Sequence, residues 1–478
     1  MKINFTVIFF FMKKCVKINI ERMLKMNIVK IKEDIFREYD IRGIYGTDIN
    51  EDVAYTFGRS FGSYIKNKQV IIGHDNRISS PIISENLIKG LLESGCEVID
   101  LGLVTTPMYY FAKKENKIES GIMITASHNP KEYNGFKISF DLIGNAYGKY
   151  IYDFRDFTNK GDFNTGNGSY KTLDIKKDYL KLLKNSINLG DEKIKLVVDC
   201  GNGTGSIFIK DILDMFDNLE YQLLYCNSDP TFPNHQPDPA VRENQIAISN
   251  KVKELGFDYG FSVDGDADRV GIVDELGNII PSDLYLDLIY RSLKDTINPK
   301  KAIYDVKCTK ALIDDLENMG YEHTMYRTGN SYMNMKINSE NYQFGGEFSG
   351  HVWFRDKFPG FDDGIYAGLR VLEILSKTNK TISQLLSGLN KYYATEEIKT
   401  KVTEENKFEI VEKVKKYCDL KGYNYNPIDG VRVNFNDGWA LVRASNTGPN
   451  IITRFEANSE ERLKEIQNEF TNELEKNI

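Results

Sequence analysis

Short apolar strands alternate with amphipathic helical stretches along most of this chain, and this alternation restricts the folds open to it more than any other feature. Apolar runs at residues 70–72, 97–99 and 122–124 predict buried strands, and apolar residues at helical spacing predict a helix over 82–92. Because such units connect through right-handed crossovers, the pattern predicts a mostly parallel sheet with helices on both faces.

The same alternation restarts twice further along the chain. A second unit is predicted from strands at residues 195–199, 221–225 and 259–263, a turn at 201–205 and a helix at 207–215. A third unit is predicted from a helix at 282–293, a strand at 302–304 and a helix from Thr309. The tail differs, because strands at 431–435, 440–442 and 451–455 predict a meander, followed by a charged helix from Glu460.

Three successive α/β domains with mixed, mostly parallel sheets and a smaller C-terminal α+β domain are therefore expected. A length of 478 residues agrees with this number of domains, since domains usually take ~100–200 residues. We place the domains at residues 29–173, 174–278, 279–390 and 391–478, after an extension at 1–28.

Composition excludes several classes of function. The net charge is −7 and no block of basic residues stands out, so we expect no nucleic-acid partner. The six cysteines lie far apart without metal-ligand spacing, which is typical of reduced thiols in a cytoplasmic protein. The five histidines are not paired at zinc-binding spacing either.

The N-terminal extension contains an apolar run at residues 5–12 flanked by lysines. This run is too short to span a bilayer, which takes about 20 residues, and no small-residue cleavage site follows it. We expect residues 1–28 to be disordered, or to result from a start codon assigned too far upstream, with Met23 or Met26 as the true first residue. We expect no membrane association.

The first loop that could take part in a reaction is the run Thr-Ala-Ser-His-Asn-Pro at residues 125–130, directly after a predicted strand. Ligand sites in open α/β sheets collect at the carboxyl ends of strands. Ser127 is the candidate nucleophile there, and Lys137 is a candidate cation or proton carrier for the same loop. A turn in which Ser127 and Asn129 only satisfy backbone groups is the alternative.

The second loop carries three carboxylates, Asp264, Asp266 and Asp268, at alternating positions after an apolar strand. Ionising all three costs free energy unless a cation lies between them, and oxygen ligands favour magnesium or calcium. A phosphate oxygen on Ser127 would complete the ligand set, and Arg269 would hold a phosphate. A cation that only stabilises the loop is the alternative.

An EF-hand is the closest competing interpretation of this loop, because Glu275 falls at its twelfth position. Two observations oppose it. Arg269 occupies the sixth position, where glycine is needed, and the flanking sequences are typical of strands, not of helices.

Two further loops complete the set. Glycines surround Glu347, Ser349 and His351, so that the backbone can approach a ligand and these side chains can bind vicinal sugar hydroxyls or move a proton. The last loop offers guanidinium, hydroxyl and amide donors without an acid, which suits a phosphate dianion; its residues are Arg443, Ser445, Asn446 and Thr447, with Arg454 on the next strand. A bulge and a polar hairpin turn are the respective alternatives.

Taken together, the four loops resemble those of the α-D-phosphohexomutase superfamily, and most closely its bacterial phosphomannomutase/phosphoglucomutase branch. They occur in the family's order, one in each expected domain, and three further segments support the resemblance: residues 36–43, 305–309 and 360–364. The resemblance covers the chain from about residue 30 to the C-terminus. It implies that the four domains surround a central cleft.

The resemblance also implies a role for each residue. Ser127 would be the phosphoserine, Asp264, Asp266 and Asp268 would bind Mg²⁺ with it, and Lys137 and His351 would be the general acid/base candidates. Glu347, Ser349 and Lys307 would contact the sugar. The phosphate-binding residues would be Arg443, Ser445, Asn446, Thr447 and Arg454, and the residues that orient the bisphosphate would be Tyr39, Arg42 and Arg269.

The implied reaction interconverts hexose 1-phosphate and hexose 6-phosphate, with mannose or glucose as the sugar, through a 1,6-bisphosphate. Mg²⁺ would be the cofactor and glucose 1,6-bisphosphate the activator, in a cytoplasmic monomer or weak oligomer. A phosphoglucosamine mutase, a non-catalytic metal-binding scaffold and a phosphate-releasing hydrolase are the alternatives. Two residues depart from the branch: Asn330 stands where histidine is usual, and Phe348 where methionine is common.

Overall fold

The computed structural model describes residues 26–446 and 448–478. The expectation for the N-terminal extension therefore falls outside the described residues over 1–25, and so does the role expected of Thr447.

The first unit is a six-stranded sheet in the order β1-β5-β4-β2-β3-β6. Its strands are β1 (Ile41–Ile44), β2 (Gln69–His74), β3 (Glu97–Leu103), β4 (Ser120–Ile124), β5 (Tyr133–Phe140) and β6 (Ser169–Thr172). Its helices are α1 (Glu51–Tyr64), α2 (Ser80–Glu93), α3 (Thr106–Glu115) and α4 (Lys149–Lys160). Strands β4, β2, β3 and β6 pair in parallel in that order, whereas β5 runs antiparallel to both β4 and β1.

The second unit repeats this plan with a five-stranded sheet in the order β11-β10-β9-β7-β8. Its strands are β7 (Ile194–Asp199), β8 (Leu219–Leu224), β9 (Tyr259–Val263), β10 (Val270–Val273) and β11 (Ile279–Ile280). Its helices are α5 (Lys176–Ser186), α6 (Ile209–Leu213) and α7 (Ile246–Leu255). The helix expected over 207–215 is thus shorter, because a 3₁₀ turn at Thr204–Ile207 precedes α6.

The third unit has four strands in the order β13-β12-β14-β15. The strands are β12 (Lys301–Asp305), β13 (Glu322–Tyr326), β14 (Phe344–Gly346) and β15 (Val352–Phe354). The helices are α8 (Ser282–Leu293), α9 (Lys310–Asn318), α10 (Asn330–Ser339), α11 (Gly364–Ser376) and α12 (Ile382–Leu385). Helix α11 packs on the second sheet so closely that a Cβ added at Gly368 would lie 2.5 Å from the Phe261 ring.

The C-terminal unit is an antiparallel sheet covered by two helices. Its strands are β16 (Tyr393–Ala394), β17 (Ile398–Lys401), β18 (Tyr425–Asn426), β19 (Val431–Phe435), β20 (Gly438–Ala444) and β21 (Asn450–Ala457). The helices are α13 (Lys407–Lys421) and α14 (Glu460–Glu475), and the latter begins at the residue expected from the sequence. The prediction of three mixed α/β units and a smaller α+β unit is confirmed.

One large hydrophobic cluster joins the first three units, and a smaller cluster of Val306, Trp439 and Leu441 connects the third unit to the C-terminal sheet. The large cluster includes Tyr109, Phe261 and Tyr366. The C-terminal sheet has its own cluster, which includes Phe455 and Phe470. Burial of aromatic side chains across the first three units joins them into one body, since each ring removes a large apolar area from water.

All four loops singled out in the sequence connect antiparallel neighbours in a sheet. They lie between β4 and β5, between β9 and β10, between β14 and β15, and between β20 and β21. The first three therefore occupy the same place in three copies of one plan, although their sequences do not visibly repeat. This arrangement brings the four loops to one cleft.

Candidate active site

A cleft of about 540 Å³ lies where the four units meet. Twelve of the residues expected to act on a ligand line it: Tyr39, Arg42, Ser127, Lys137, Arg269, Lys307, Glu347, Ser349, His351, Arg443, Ser445 and Asn446. The three aspartates of the second loop are completely buried beneath it. The structure thus brings together residues that are more than 300 positions apart in the sequence.

Ser127 has the geometry of a positioned nucleophile. Its backbone is left-handed, with φ at 49°, a conformation that costs free energy for a residue other than glycine. Its Oγ donates a hydrogen bond to Asp264 Oδ2 over 2.7 Å, and its backbone N–H donates to Thr125 Oγ1 over 2.9 Å. The hydroxyl is therefore fixed against the acidic loop and faces the cleft.

The strained loop around Ser127 is held by a buried arginine. The guanidinium of Arg77 donates to the carbonyls of Ser127, Asn129 and Pro130, each over 2.7 Å. Its Nε also donates to Asp75 over 3.1 Å. These charge-assisted hydrogen bonds satisfy a run of backbone carbonyls that no regular secondary structure would satisfy.

The acidic loop approaches the serine very closely. A Cβ added at Gly265 would lie 2.5 Å from the carbonyl oxygen of Ser127, so only glycine fits there. Burial, reinforced by Asp268 and Asp266, raises the pKa of Asp264 well above its usual value. Three carboxylates in this setting are unstable as anions unless positive charge lies among them.

Lys137 supplies positive charge to this cluster. Its Nζ lies 2.7 Å from Asp266 Oδ2 and 2.5 Å from Asp268 Oδ2. Burial alone would lower the pKa of Lys137, but the two aspartates raise it above its usual value. Burial alone would likewise raise the pKa of Asp266, and the ammonium group lowers it instead.

The aspartates also fit a divalent cation. One oxygen of each of the three carboxylates lies within 4.8 Å of the others. The Oδ1 atoms of Asp266 and Asp268 are buried without a hydrogen-bond partner among the described residues. Hard anionic oxygens with unused lone pairs are the ligands that magnesium and calcium prefer, so the loop can hold such an ion.

The structure contradicts the EF-hand interpretation. The acidic loop joins strands β9 and β10, not two helices. Glu275, the twelfth residue, accepts hydrogen bonds from Ser383 and lies outside the aspartate cluster.

His351 is oriented from both sides. Its Nδ1 lies 2.8 Å from Asp362 Oδ2, and its Nε2 accepts a hydrogen bond from Arg269 Nε over 2.9 Å. These partners assign the proton to Nδ1. Asn330 donates to the same carboxylate of Asp362. Asn330 therefore supports the His351–Asp362 pair, besides lining the cleft.

Glu347 has carboxylate oxygens that can accept hydrogen bonds from hydroxyl groups. It is almost fully buried, and its Oε1 accepts a hydrogen bond from the Gly329 N–H over 2.5 Å. Ser349 Oγ donates to its Oε2 over 3.2 Å. Burial raises the pKa of Glu347, yet both oxygens keep lone pairs available toward the cleft.

The fourth loop offers unused donors. Arg443 Nε pairs with Asp429 Oδ2 over 2.9 Å, while its Nη2 is buried without a partner in the described part of the chain. Asn446 Nδ2 is likewise buried without a hydrogen-bond partner among the described residues. Lys407 Nζ donates to the Ser445 carbonyl over 2.8 Å and holds the loop from behind. Free guanidinium and amide donors at a cleft wall suit an anion.

The remaining predicted residues take different positions. Arg42 pairs with Asp40 over 2.8 Å and donates to Asn129 Oδ1 over 2.6 Å, which ties it to the serine loop. Burial raises the pKa of Tyr39 to about 12, so its hydroxyl stays protonated. Arg454 donates to the backbone carbonyl of Lys307 and stacks on the Phe348 ring, behind the cleft wall.

Sequence reasoning missed four residues that organise the site: Arg77, Asp362, Asp429 and Lys407. Asp362 lies in a segment that supported the family resemblance, but no role was expected of it. The other three sit in ordinary helical or turn sequences, and only their buried ion pairs or hydrogen bonds to loop carbonyls distinguish them. No signal in the sequence marks such contacts.

No helix in the described ranges has the length and apolar character needed to cross a membrane.

The fold and the cleft together define a four-domain α/β enzyme with a serine beside a metal-binding loop. Comparison with known sequences agrees. The chain matches the phosphoglucomutase/phosphomannomutase alpha/beta/alpha domains I, II and III and the C-terminal domain, over residues 33–144, 177–277, 281–393 and 397–473. It belongs to the phosphoglucomutase/phosphomannomutase family.

Individual relatives match more than nine-tenths of the chain. A phosphomannomutase/phosphoglucomutase of Pseudomonas putida is 39% identical over 93% of this chain and 96% of its own. A phosphoglucomutase of Neisseria gonorrhoeae is 37% identical over 94% and 98%. A phosphoglucomutase/phosphomannomutase family protein of Burkholderia thailandensis superposes with a TM-score of 0.86 at 36% identity, covering 93% of this chain and 97% of that structure.

Proposed function

We propose that this chain interconverts hexose 1-phosphates and hexose 6-phosphates and accepts both glucose and mannose. The observation that carries the proposal is the hydrogen bond of 2.7 Å between Ser127 Oγ and Asp264, in a cleft that also holds a hydroxyl-binding glutamate and an anion-binding loop. These elements are what a phosphosugar needs at its reacting phosphate, its ring and its second phosphate. The relatives named above for both sugars support the choice of substrate.

The reaction consists of two phosphoryl transfers. In the first, the phosphate on Ser127 passes to the free hydroxyl of the sugar phosphate, so that the serine O–P bond breaks and a sugar O–P bond forms. The resulting 1,6-bisphosphate turns over within the cleft and returns its other phosphate to Ser127. The Arg443 loop holds whichever phosphate is not reacting. Because both transfers use the same groups, positioning and charge neutralisation supply most of the catalysis.

The protein moves one proton in each transfer. The two candidates, Lys137 and His351, line the cleft beside the aspartates. His351 would accept the proton of the attacking hydroxyl, and Lys137, which Asp266 and Asp268 hold as an ammonium, would donate a proton to the departing oxygen. Asp362 and Arg269 hold the His351 ring in one orientation. When bound by Asp264, Asp266 and Asp268, Mg²⁺ would supply Lewis-acid polarisation of the phosphoryl group.

Specificity follows from what the cleft can contact. Glu347 and Ser349 offer acceptors and donors suited to two neighbouring ring hydroxyls. Glucose and mannose differ only at C2, so a grip on O3 and O4 does not separate them. For this reason we expect comparable rates with both sugars and slower turnover of glucosamine phosphate.

The test is an assay of purified protein with mannose 1-phosphate or glucose 1-phosphate, Mg²⁺ and a trace of glucose 1,6-bisphosphate. The 6-phosphate should form with wild type and not with Ser127→Ala. Intact mass should show about 80 Da of additional mass on wild type, one phosphoryl group, and none on Ser127→Ala. Ser339→Ala, which changes an exposed serine, is the matched control and should behave as wild type.

Each alternative gives a different result. Absence of product with either hexose, together with metal binding, would favour a non-catalytic scaffold and overturn the proposal. Steady release of inorganic phosphate would indicate a hydrolase. Faster turnover of glucosamine 1-phosphate than of either hexose phosphate would identify a phosphoglucosamine mutase.

The proposal extends to the setting of the enzyme. We propose Mg²⁺ as the resident cation, glucose 1,6-bisphosphate as the activator that phosphorylates Ser127, and a monomer or weak oligomer without nucleic-acid or membrane partners. Five cysteines in the described residues are free thiols, which supports a reducing, cytoplasmic location.

A further inference from the structure

Two arginines of the C-terminal sheet reach across to the loop that follows β12 in the third unit. Arg454, on β21, donates from Nη1 to the backbone carbonyl of Lys307. Arg432, on β19, donates to the carbonyls of Val306 and Cys308. Three successive carbonyls of one loop are therefore satisfied by guanidinium groups from another domain.

Arg454 contacts four residues behind the cleft wall. Its side chain is 5% exposed, and its guanidinium carbon lies 3.8 Å from the centre of the Phe348 ring. Its Nε donates to the Thr395 carbonyl over 3.3 Å, and its Nη1 lies 3.6 Å from Asp283. A guanidinium with these partners is poorly placed to bind a substrate phosphate.

Arg432 is also buried, and it holds the carbonyls of Val306 and Cys308, the residues on either side of Lys307. Its side chain is completely buried, and its guanidinium stacks on Trp439 with 3.5 Å to the ring centre. Trp439 in turn donates to Glu456 over 2.7 Å, and Glu456 accepts the N–H of Lys310 at the start of α9 over 2.7 Å. The C-terminal sheet thus grips this loop from Val306 to the first turn of α9.

The residue at the centre of this grip is Lys307. Its Nζ lines the cleft, lies 3.2 Å from Glu397 and is 5.6 Å from the centre of the same Phe348 ring. Phe348 stands between Glu347 and Ser349 in the hydroxyl-binding loop. Arg454 therefore touches the backbone of one cleft residue and the ring of another.

We propose that Arg454, braced against the Phe348 ring, is a positioning residue that holds Lys307 at the working distance from the sugar phosphate. Arg432 supports it by fixing the carbonyls on either side. This inference rests on the proposed function. The physical reason is that a lysine side chain is flexible, so the position of its ammonium depends on a fixed backbone. Small displacements of catalytic groups cost much in rate, because the reacting geometry is narrow.

A double-mutant cycle separates this role from direct binding of phosphate. Arg454→Lys keeps the charge but loses the planar fork, and Lys307→Met removes the group that Arg454 is said to position. We expect each single change to lower kcat/KM about 10- to 100-fold, the scale seen for misplaced catalytic groups. The double variant should stay within about 2-fold of Lys307→Met, since Arg454 acts through Lys307. Multiplying effects would show that Arg454 contacts substrate itself and would overturn the inference.

A second measurement does not depend on activity. In wild type the Lys307 amine should react slowly with acetic anhydride, as read by mass spectrometry of peptides, because it is 5% exposed. Arg454→Lys should speed labelling of Lys307 several-fold and leave that of Lys171, an exposed lysine, unchanged. Unchanged labelling of Lys307 would also contradict the inference.

Two controls keep the result interpretable. If Arg454→Lys does not fold, Phe348→Leu removes the ring on which Arg454 stacks and should give the same non-additive pattern with Lys307→Met. If wild type converts no hexose phosphate, the proposed function fails, and labelling of Lys307 alone still decides whether Arg454 positions it.

Discussion

The guanidinium of Arg77 donates a hydrogen bond of 2.7 Å to the carbonyl of Ser127, 50 residues further along the chain. The same guanidinium holds the carbonyls of Asn129 and Pro130, and Asp75 pairs with its Nε. Arg77 is 1% exposed, so these contacts form away from water. The conformation of the loop that we propose to carry the phosphate therefore depends on a residue that is buried and does not line the cleft.

Replacing this arginine should damage both stability and phosphorylation. Arg77→Met removes the charged donor from Asp75 Oδ2 and from the loop carbonyls, and breaking such a buried ion pair typically costs about 3–5 kcal/mol. We expect a loss of this size in urea unfolding and less phosphate on Ser127 by intact mass. Arg155→Met removes a more exposed ion pair and should change stability by about 1 kcal/mol or less. Equal stabilities of Arg77→Met and wild type would contradict this assignment.

Metal binding should be visible without any substrate. We expect Mg²⁺ to bind the folded acidic loop and not the unfolded chain, so it should raise the free energy of unfolding, by about 2.7 kcal/mol at 100 times its Kd. Asp266→Asn removes one ligand and should abolish the rise, and a chelator should reverse it in wild type. Melting curves over a range of Mg²⁺ concentrations test this, and a rise that persists in Asp266→Asn would place the ion elsewhere.

Asp287 should make the protein less stable as the pH rises. It lies on the buried face of α8, 2.7 Å from Arg291, and burial raises its pKa to about 8. Since its pKa in the unfolded chain is about 4, the folded state binds more protons between pH 4 and 8, so stability falls across this window by up to about 1.4 kcal/mol per pH unit. Below pH 4 both states are protonated and the contribution is fully present.

The measurement compares unfolding at pH 5 and pH 8. Asp287→Asn cannot ionise, so its advantage over wild type should grow as the pH rises. Asp178→Asn, on an exposed helix surface, should track wild type at both values. A difference between Asp287→Asn and wild type that does not vary with pH would show that Asp287 keeps an ordinary pKa.

Asp429 should matter for binding of the substrate's phosphate. It pairs with Arg443 Nε and also accepts the Thr328 N–H over 3.0 Å, so it links the phosphate loop to the third unit. Asp429→Asn weakens a charged hydrogen bond worth about 1.5–3 kcal/mol and should raise KM at least 10-fold, with a smaller change in kcat. Asp437→Asn breaks a more exposed Asp–Arg pair of the same domain and should leave KM unchanged. An unchanged KM in both variants would show that Asp429 does not support binding of the substrate's phosphate.

Much of the site was predictable because its chemistry is contiguous in the sequence. The serine, aspartate, glutamate and arginine loops each follow a strand, and strands with alternating helices can be recognised from apolar periodicity. Arg77, Asp362 and Asp429 could not be found in this way. Their importance lies in hydrogen bonds to distant backbone or side-chain atoms, and a single sequence carries no record of which distant segments meet.

The position of Arg454 illustrates the same limit. Its place on the strand after the phosphate loop predicts a phosphate ligand, whereas its guanidinium lies between the Lys307 carbonyl and the Phe348 ring. Strand β21 presents this side chain toward the third unit, and only the packing of the two domains determines that direction.

The left-handed backbone at Ser127 also limits how this chain can change over evolution. Threonine carries the same hydroxyl, but its branched Cβ is disfavoured at positive φ, and burial leaves little room for the added methyl group. Cysteine and aspartate serve as phosphoryl carriers in other proteins. Here each would have to adopt the same left-handed backbone, and neither offers the hydroxyl that donates to Asp264. Selection on this position therefore acts on the shape of the main chain as well as on the nucleophile, and serine satisfies both.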